Sequence, residues 1–132
     1  MNSNPISKWH NIVRTRNASK LTELLADDVV FYSPVAHTPQ VGKKITTVYL
    51  SAAIHVLGNN SFKYVREIIG ETDAVLEFET EIDGFTVNGV DIIRWNAEHK
   101  ISEFKVMVRP LKAINLIHQK MGEMLQQFGI WS

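Results

Sequence analysis

The chain has 132 residues, of which 45% are hydrophobic and 21% are charged, and this length suits one well-packed domain but is short for two. Lys plus Arg and Asp plus Glu both number 14, so no net charge favours nucleic acid or an anionic membrane as a partner. The absence of cysteine excludes disulfides, thiolate metal sites and a cysteine nucleophile. With no apolar run near the roughly 20 residues of a membrane span and no signal-like N-terminus, we expect a single cytoplasmic domain over residues 1–132.

The first 28 residues have the pattern of two helices. Pro5 after Asn4 is typical of a helix start, and the apolar residues that follow recur on one helical face up to about residue 16. We expect Ser19 to cap a shorter second helix, which the acidic pair Asp27-Asp28 would close.

Residues 33–42, SPVAHTPQVG, form the longest predicted loop. They contain two prolines and a glycine and show no periodicity, and a loop of this length is unusual in a compact domain. A short strand at 29–32 precedes the loop, and a third helix follows it and ends at Gly58. Because such loops often border sites, residues 33–42 are expected near one.

The second half of the chain is rich in predicted strands. Four strand-like runs lie at 61–69, 74–82, 85–95 and 100–109. Asp83-Gly84 between two alternating runs is a strong hairpin signal, and alternation in the second run sends one face to the core and the other to water or a partner. A final helix after Pro110 carries an apolar stripe formed by Leu111, Ile114, Ile117, Met121, Leu125 and Phe128.

Asp91 is the main chemical clue, because it lies inside the apolar run Val90-Asp91-Ile92-Ile93. An ionised carboxylate is costly to bury unless it is hydrogen-bonded, paired or protonated. If strand alternation turns Asp91 inward, burial would raise its pKa and make it a neutral hydrogen-bond donor or general acid. The alternative is a structural carboxylate that accepts bonds from the Asn88-Gly89 backbone or from Arg94. The sequence leaves both possibilities open.

The order of helices, loop and strands resembles the nuclear transport factor 2-like superfamily over nearly the whole chain. The resemblance is strongest to its SnoaL-like and ketosteroid isomerase-like members, through the segments 24–29 (LLADDV), 33–35 (SPV), Gly42, 90–95 (VDIIRW) and Lys100-Ile101. It implies an α+β fold of the cystatin-like type, in which a cone-shaped, curved antiparallel sheet wraps around the N-terminal helices and a C-terminal helix follows. It also implies an apolar pocket and a homodimer formed through the sheet.

The resemblance also assigns positions to catalytic groups. In ketosteroid isomerases a carboxylate base moves the proton, while a tyrosine and a protonated aspartic acid stabilise the dienolate oxygen. Asp91 matches the protonated aspartic acid, but Ser33 occupies the position of the base and the tyrosine position falls at about Ile12. An Arg-x-Asp motif like that of limonene epoxide hydrolases is missing. The weaker requirement of SnoaL-type cyclases, one acidic residue and a shaped cavity, is met.

Other side chains complete the predicted site. His37 in the long loop is a candidate base toward a ligand held by Asp91, although loop histidines are more often idle. Ser33 lacks the context of a nucleophile and suits a hydrogen-bond or turn role. No histidine pair has metal-ligand spacing, so we predict no metal. The residues expected to line a ligand pocket, each of which alternatively packs the core, are Trp9, Phe31, Ser33, Tyr49, Phe78, Trp95, Phe104 and Val106.

The resemblance, together with Asp91 in its apolar strand, leads us to expect a SnoaL-like homodimer that binds a small apolar molecule with one or a few oxygens. Any chemistry would be cofactor-free acid-base chemistry, such as isomerisation, cyclisation or dehydration, with Asp91 as acid or oxyanion partner and His37 as base. The alternative is a non-catalytic binding or assembly module that uses the exposed face of the sheet.

Overall fold

The structure is a computed structural model and describes residues 4–127. In chain order its elements are α1 (Ile6–Thr15), a 3₁₀ turn (Ala18–Lys20), α2 (Leu21–Leu24), β1 (Leu25–Tyr32), β2 (Gln40–Val41), α3 (Lys43–Leu57), β3 (Lys63–Ile69), β4 (Asp73–Ile82), β5 (Phe85–Trp95), β6 (Ile101–Arg109) and α4 (Leu111–Gln127). None of the helices within residues 4–127 is both long enough and apolar enough to cross a membrane.

The six strands form one curved, unclosed sheet in the order β2-β1-β6-β5-β4-β3. The strands β3 to β6 pair antiparallel with their neighbours, as the sequence predicts. Strand β1 instead runs parallel to β6, so the sheet is mixed. The predicted α+β cone with a C-terminal helix is confirmed.

One face of the sheet, which we call the inner face, packs against the helices. Strand β4 alternates strictly, and Ala74, Leu76, Phe78, Thr80 and Ile82 are buried on this face. The predicted hairpin between β4 and β5 is present: Asp83 and Gly84 both have positive φ, of 51° and 83°, as a type I′ turn requires. The hairpin therefore fixes which residues of β5 face inward.

Two details in the first 28 residues differ from the prediction: the capping residue and the end of the second helix. The backbone N–H of Ser19 donates to the side chain of Asn17, so Asn17 caps the 3₁₀ turn, as asparagine often does. Ser19 lies inside that turn, and α2 begins after Lys20 without a side-chain cap. Asp27-Asp28 does not close the second helix, because β1 begins at Leu25 and includes both aspartates as exposed residues. The strand starts before the acidic pair, where Leu25 pairs with Ile101, and the two aspartates lie where the register shifts between Leu25 and Val30.

The final helix lies against the core through a stripe slightly different from the predicted one. Ile117, Met121 and Leu125 are buried as expected, but Leu111 is 70% exposed and Ala113 is buried in its place. Leu111 is the first residue of α4, where the backbone has not yet come down onto the core. Phe128 lies outside the described residues.

Candidate functional site

Asp91 lies on the inner face of β5, at its centre. It shares this face with the buried residues Val87, Gly89, Ile93 and Trp95, and only 6% of its surface is exposed. Its neighbours across the sheet are apolar, Leu76 on β4 and Val106 on β6. Of the two possibilities that the sequence left open, the structure has the inward one, which places a carboxyl group in a largely apolar setting.

A directed chain of hydrogen bonds ends at this carboxyl group. Trp9 Nε1 on α1 donates to the hydroxyl oxygen of Tyr64 over 2.9 Å, and the Tyr64 hydroxyl donates to Asp91 Oδ2 over 2.7 Å. An indole N–H can only donate. The Tyr64 hydroxyl must therefore accept from Trp9 and turn its own hydrogen toward Asp91.

A β-bulge in β3 turns Tyr64 to the inner face. The pairing with β4 shifts between Tyr64 and Arg66, so that Val65 is the extra residue. Tyr64 is opposite the inward Phe78, whereas Arg66 is opposite the outward Glu77. Without a bulge, residues 64 and 66 would share a face because side chains alternate along a strand.

The pKa values of both acidic groups in the network, Asp91 and Tyr64, are raised. Burial raises the pKa of Asp91 to about 7, although the hydrogen bond from Tyr64 works in the opposite direction. Burial, followed by the negative charge of Asp91, raises the pKa of the Tyr64 hydroxyl well above its usual range. Tyr64 consequently remains a neutral donor near neutral pH, while Asp91 is present in both its charged and its neutral form.

The network borders an interior cavity of about 50 Å³. Its lining is mainly apolar and comes from α1, α3, α4, the loop after β1 and the inner face of the sheet. The lining includes the side chains of Trp9, Phe62, Tyr64, Phe78, Asp91 and Phe104. Asp91 is the one carboxyl group among the described residues that line it.

Aromatic contacts hold the cavity wall in place. Phe62 stacks on Phe78 with ring centroids 5.2 Å apart, and it meets Tyr64 edge-on at 5.1 Å. Trp9 packs edge-on against Phe104 at 4.9 Å. These arrangements are the favoured ones for aromatic pairs, and they fix the two donors, Trp9 and Tyr64, relative to Asp91.

The structure brings most of the predicted pocket residues together. Six of them line the cavity, namely Trp9, Phe31, Ser33, Phe78, Phe104 and Val106. Tyr49 and Trp95 are buried in the core instead and are not part of the lining. In the lining, Ser33 accepts a hydrogen bond from the backbone N–H of Val35, which agrees with a turn role.

His37 is not brought to Asp91. Its side chain is exposed, and the residues that line the cavity do not include it. The loop does reach the cavity, but through Ser33, Pro34 and Val35 at its beginning. The predicted pairing of His37 with Asp91 is therefore not formed in this structure.

The groups that would pair with a purely structural Asp91, Arg94 and the Asn88-Gly89 backbone, interact with other residues. Arg94 lies on the opposite, outer face of the sheet, where its guanidinium is 2.9 Å from the Asp73 carboxylate. The Asn88-Gly89 backbone pairs with Glu79 and Phe78 of β4 and with Arg109 and Val108 of β6. Asp91 is thus held by a tyrosine hydroxyl rather than by a cation.

Tyr64 is the site residue that sequence reasoning missed. The available signal was its spacing of two residues from Phe62, which puts both on one side of an extended segment. The bulge at Val65 obscured this signal, because the remainder of β3 continues with the opposite parity.

No group of three or more His, Asp or Glu side chains in residues 4–127 is arranged to hold a metal ion.

Comparison with known proteins agrees with this architecture. A family model for the SnoaL-like domain matches residues 6–104. The solved structure of a steroid delta-isomerase from Pseudomonas aeruginosa is similar, with a TM-score of 0.88 and 31% sequence identity over 93% of this chain and 90% of that chain. A search of curated protein sequences finds no significant match.

Two further solved structures extend the comparison. An uncharacterised bacterial protein with a cystatin-like fold from Silicibacter pomeroyi is 26% identical, with a TM-score of 0.85 over 92% of this chain and 84% of that chain. The epoxide hydrolase/cyclase-like enzyme SalBIII, which has a role in pyran ring formation in salinomycin, has a TM-score of 0.63 over 79% of this chain and 87% of that chain. Its 14% identity shows a shared fold only.

Proposed function

The chain belongs to the family of SnoaL-like domains, and on that premise we propose that it binds a small apolar molecule with one or a few oxygens and transfers a proton on it through Asp91. The observation that supports this proposal is the buried carboxyl group of Asp91, which borders an apolar cavity and is oriented by the Tyr64 hydroxyl. Perturbed acids in a cavity are typical of sites that perform acid-base chemistry.

The chemistry follows from the protonation state of this acid. With a pKa of about 7, Asp91 can give a proton to a ligand oxygen or accept one from a neighbouring carbon near neutral pH. Oδ2 already accepts the Tyr64 hydrogen, so the exchangeable proton belongs on Oδ1. Tyr64 keeps its own proton and stabilises the charged form of Asp91.

The similar proteins support an isomerase or cyclase type of reaction. The Pseudomonas aeruginosa relative carries the name steroid delta-isomerase, and a delta-isomerase moves a double bond by shifting a proton from one carbon to another. One carboxyl group that removes a proton and returns it at a second position performs this step without a cofactor. Asp91 is suited to that role even though Ser33 occupies the position at which the resemblance places a base.

The size of the cavity restricts the ligand. Ligand sites usually enclose about 300–1,000 Å³, whereas this cavity holds about 50 Å³. A cavity that holds one six-membered ring measures about 150 Å³, so the largest suitable ligand is a compact cyclic ketone or alcohol, or one ring of a larger molecule, and its binding requires the cavity wall to move outward.

The proposal is tested with cyclohexanone, cyclohexanol and 3-cyclohexenone. A ligand of the folded state raises the melting temperature by mass action, so we expect the two saturated compounds to stabilise the protein. We also expect 3-cyclohexenone to convert to 2-cyclohexenone, followed by ultraviolet absorbance, with a rate reduced at least about tenfold in Asp91→Asn and Asp91→Ala. Asp28→Asn, which changes an exposed carboxylate, is the matched control.

Two results would count against the proposal. Conversion that continues unchanged in both Asp91 variants removes the role of Asp91. Failure of every compound to stabilise the wild-type protein, at concentrations of about 10 mM that detect weak ligands, favours the alternative of an assembly module.

That alternative has its own structural support on the outer face of the sheet. Ile68 and Met107 are 62% and 54% exposed, and they flank the half-buried Val75, Val90 and Ile92. Ion pairs between Arg66 and Glu77 and between Arg94 and Asp73 border this apolar strip. We propose that a second copy of the chain covers the strip, and a homodimer of this kind is compatible with either function.

A further inference from the structure

A second, larger depression lies directly beside the cavity. It has a volume of about 390 Å³, and we call it the basic groove; its lining consists of His10, Val13, Arg14, Arg16, Gly58, Asn59, Asn60, Phe62, Lys63 and Tyr64. Four of these residues, Val13, Gly58, Phe62 and Tyr64, also line the cavity. The two spaces therefore share a wall, and that wall includes the tyrosine that holds Asp91.

The basic groove carries an excess of positive charge. Arg14, Arg16 and Lys63 line it, and its described lining contains no Asp or Glu. None of these three cations is within 4 Å of a carboxylate in residues 4–127. In a chain with no formal net charge, such a cluster produces a local positive potential that attracts anions.

Two acidic residues lie near the groove without neutralising it. Glu67 is occupied by His10, with its carboxylate oxygen 2.8 Å from Nε2. Glu79 is opposite Lys63 in the strand pairing but forms no ion pair with it among the described residues. Each acid therefore weakens the potential at one edge of the groove and leaves the arginines unpaired.

Neutral amides position the two arginines. Arg14 Nη2 donates to Asn11 Oδ1 over 2.5 Å, and Arg16 Nη2 donates to Asn60 Oδ1 over 2.9 Å. A hydrogen bond to an amide oxygen orients a guanidinium but does not cancel its charge. The remaining N–H groups of each planar fork stay suited to a carboxylate or a phosphate.

Arg16 occupies a backbone position that disfavours it. Its φ of 55° and ψ of 34° are left-handed, at the C-terminal end of α1, where glycine is the preferred residue because any Cβ is strained. An arginine here reduces the stability of the helix end relative to glycine. The Arg16 side chain therefore carries a conformational cost, as side chains at binding sites often do.

We propose that the basic groove binds an oxyanion, a carboxylate or a phosphate, that is attached to the apolar molecule in the cavity. This inference rests on the proposed function and narrows its ligand class to amphipathic anions: an apolar ring beside Asp91 and Tyr64, and a negatively charged group at Arg14 and Arg16. It also provides room that the cavity of about 50 Å³ lacks. Tyr64 lines both spaces, so a ligand that occupies both must pass beside it through an opening in the shared wall of Val13, Gly58, Phe62 and Tyr64.

The test compares three probes that share one apolar body: 3-cyclohexylpropanoate, 3-cyclohexylpropyl phosphate and the neutral amide 3-cyclohexylpropanamide. Binding is measured by calorimetry at low ionic strength. We expect at least one oxyanion to bind about tenfold more tightly than the amide, and added salt to reduce that preference. Whichever oxyanion binds more tightly identifies the head group as carboxylate or phosphate.

Charge-removing variants locate the interaction. Arg14→Gln combined with Arg16→Gln should weaken the preferred oxyanion about tenfold and leave the amide unchanged. Lys112→Gln removes one positive charge from an exposed position on α4, outside the groove lining, and should change neither affinity. Arg16→Gly should weaken the oxyanion while the melting temperature stays equal or rises, a combination that a purely structural arginine would not produce.

Equal affinity for the oxyanions and the amide, no binding of either oxyanion, or unchanged oxyanion affinity in the double variant would each overturn the inference. These results are separable from failure of the proposed function. If only the groove assignment is wrong, cyclohexanone still stabilises the protein and the Asp91 variants still lose activity. If the role of Asp91 is wrong, oxyanion binding still depends on the two arginines, while the Asp91 variants convert 3-cyclohexenone as fast as the wild type.

Discussion

The Tyr64 hydroxyl donates a 2.7 Å hydrogen bond to Asp91 Oδ2, although the two residues belong to strands that are not neighbours in the sheet. Strand β4 separates β3 from β5, so the long tyrosine side chain reaches over it. Trp9, on α1, donates to the same hydroxyl. One short network thus connects the first helix to two strands. It sets the direction of the hydrogen bonds and partly offsets the rise in the pKa of Asp91 that burial causes.

Replacement of Tyr64 by phenylalanine tests the network. Asp91 then loses the hydrogen bond that lowers its pKa, so its pKa should rise above about 7. Asp91 Oδ2 and Trp9 Nε1 also lose a buried partner, which we expect to cost about 1–3 kcal/mol of unfolding free energy. A carboxyl ¹³C NMR titration reports the pKa, and urea unfolding reports the stability.

Tyr49→Phe is the matched control for this variant. Tyr49 is buried, lies outside the cavity lining and forms no hydroxyl hydrogen bond with the described residues. Its replacement should leave the pKa of Asp91 unchanged. An Asp91 pKa that stays the same or falls in Tyr64→Phe would show that the hydroxyl does not stabilise the carboxylate.

The pH dependence of stability provides a second test. The folded-state pKa of Asp91, about 7, lies above the usual unfolded value of about 3.9, so between these values the folded state binds more protons. Its contribution to the unfolding free energy is then fully present below about pH 4 and is lost as the pH rises through 7, by up to about 4 kcal/mol. In Asp91→Asn this loss should be absent.

Urea unfolding of both proteins at several pH values between 4 and 8 measures this difference. The variant should become progressively more stable than the wild type as the pH rises, since the asparagine amide avoids a buried charge. Parallel stability curves would mean that the pKa of Asp91 is nearly the same in the folded and the unfolded state.

Gly89 provides a third test of the site. Its lack of a side chain leaves space for the ring of Phe78, which lines the cavity. A Cβ at this position would lie 2.6 Å from a Phe78 ring carbon and 2.6 Å from the Met107 carbonyl oxygen. Gly89→Ala should therefore displace Phe78 and lower the unfolding free energy by about 1–3 kcal/mol.

Gly70→Ala is the control, because its Cβ would meet only the Asp73 carbonyl oxygen, at 3.3 Å. Urea unfolding should show a smaller loss of unfolding free energy for Gly70→Ala than for Gly89→Ala. If the two alanine variants are equally stable, the inner face of β5 is more adaptable than its close contacts indicate.

The outer face of the sheet leads to a prediction about assembly. Ile68→Glu and Met107→Glu place charges in the exposed apolar strip and should convert a homodimer into monomers, since burying an unpaired charge is costly. Leu111→Glu changes an exposed apolar residue on α4 and should leave assembly unaffected. Sedimentation velocity distinguishes the states, and a monomeric wild-type protein would refute the homodimer.

The sequence predicted the elements with strong periodicity. Residues 85–95 were predicted as a strand with the same bounds that β5 has. Strand alternation with Ile93 and Trp95 offered an inward Asp91 as one of two possibilities and did not decide between them. Local signals also located the hairpin at Asp83-Gly84. In each of these cases the information lies within a few neighbouring residues, where backbone preferences act directly.

Features that depend on distant residues were not predicted. The parallel pairing of β1 with β6 joins segments about seventy residues apart, and the cavity volume depends on how side chains from several elements pack. The partner of Asp91 also escaped prediction, because contact between Tyr64 and Asp91 requires the correct register of two strand pairings at once. His37 was predicted at the site and does not lie there. A histidine in a loop that borders the cavity need not point into it, because the loop path sets its direction.

The bulge at Val65 has a consequence for comparing relatives. Because Val65 is an extra residue in its strand, a related chain with a regular β3 can keep both a tyrosine facing Asp91 and an outward residue opposite Glu77 while having one residue fewer. Alignment of such a chain should show a single-residue gap between Tyr64 and Arg66. An alignment that forbids the gap would pair Tyr64 with the wrong position and make the hydroxyl appear to be lost.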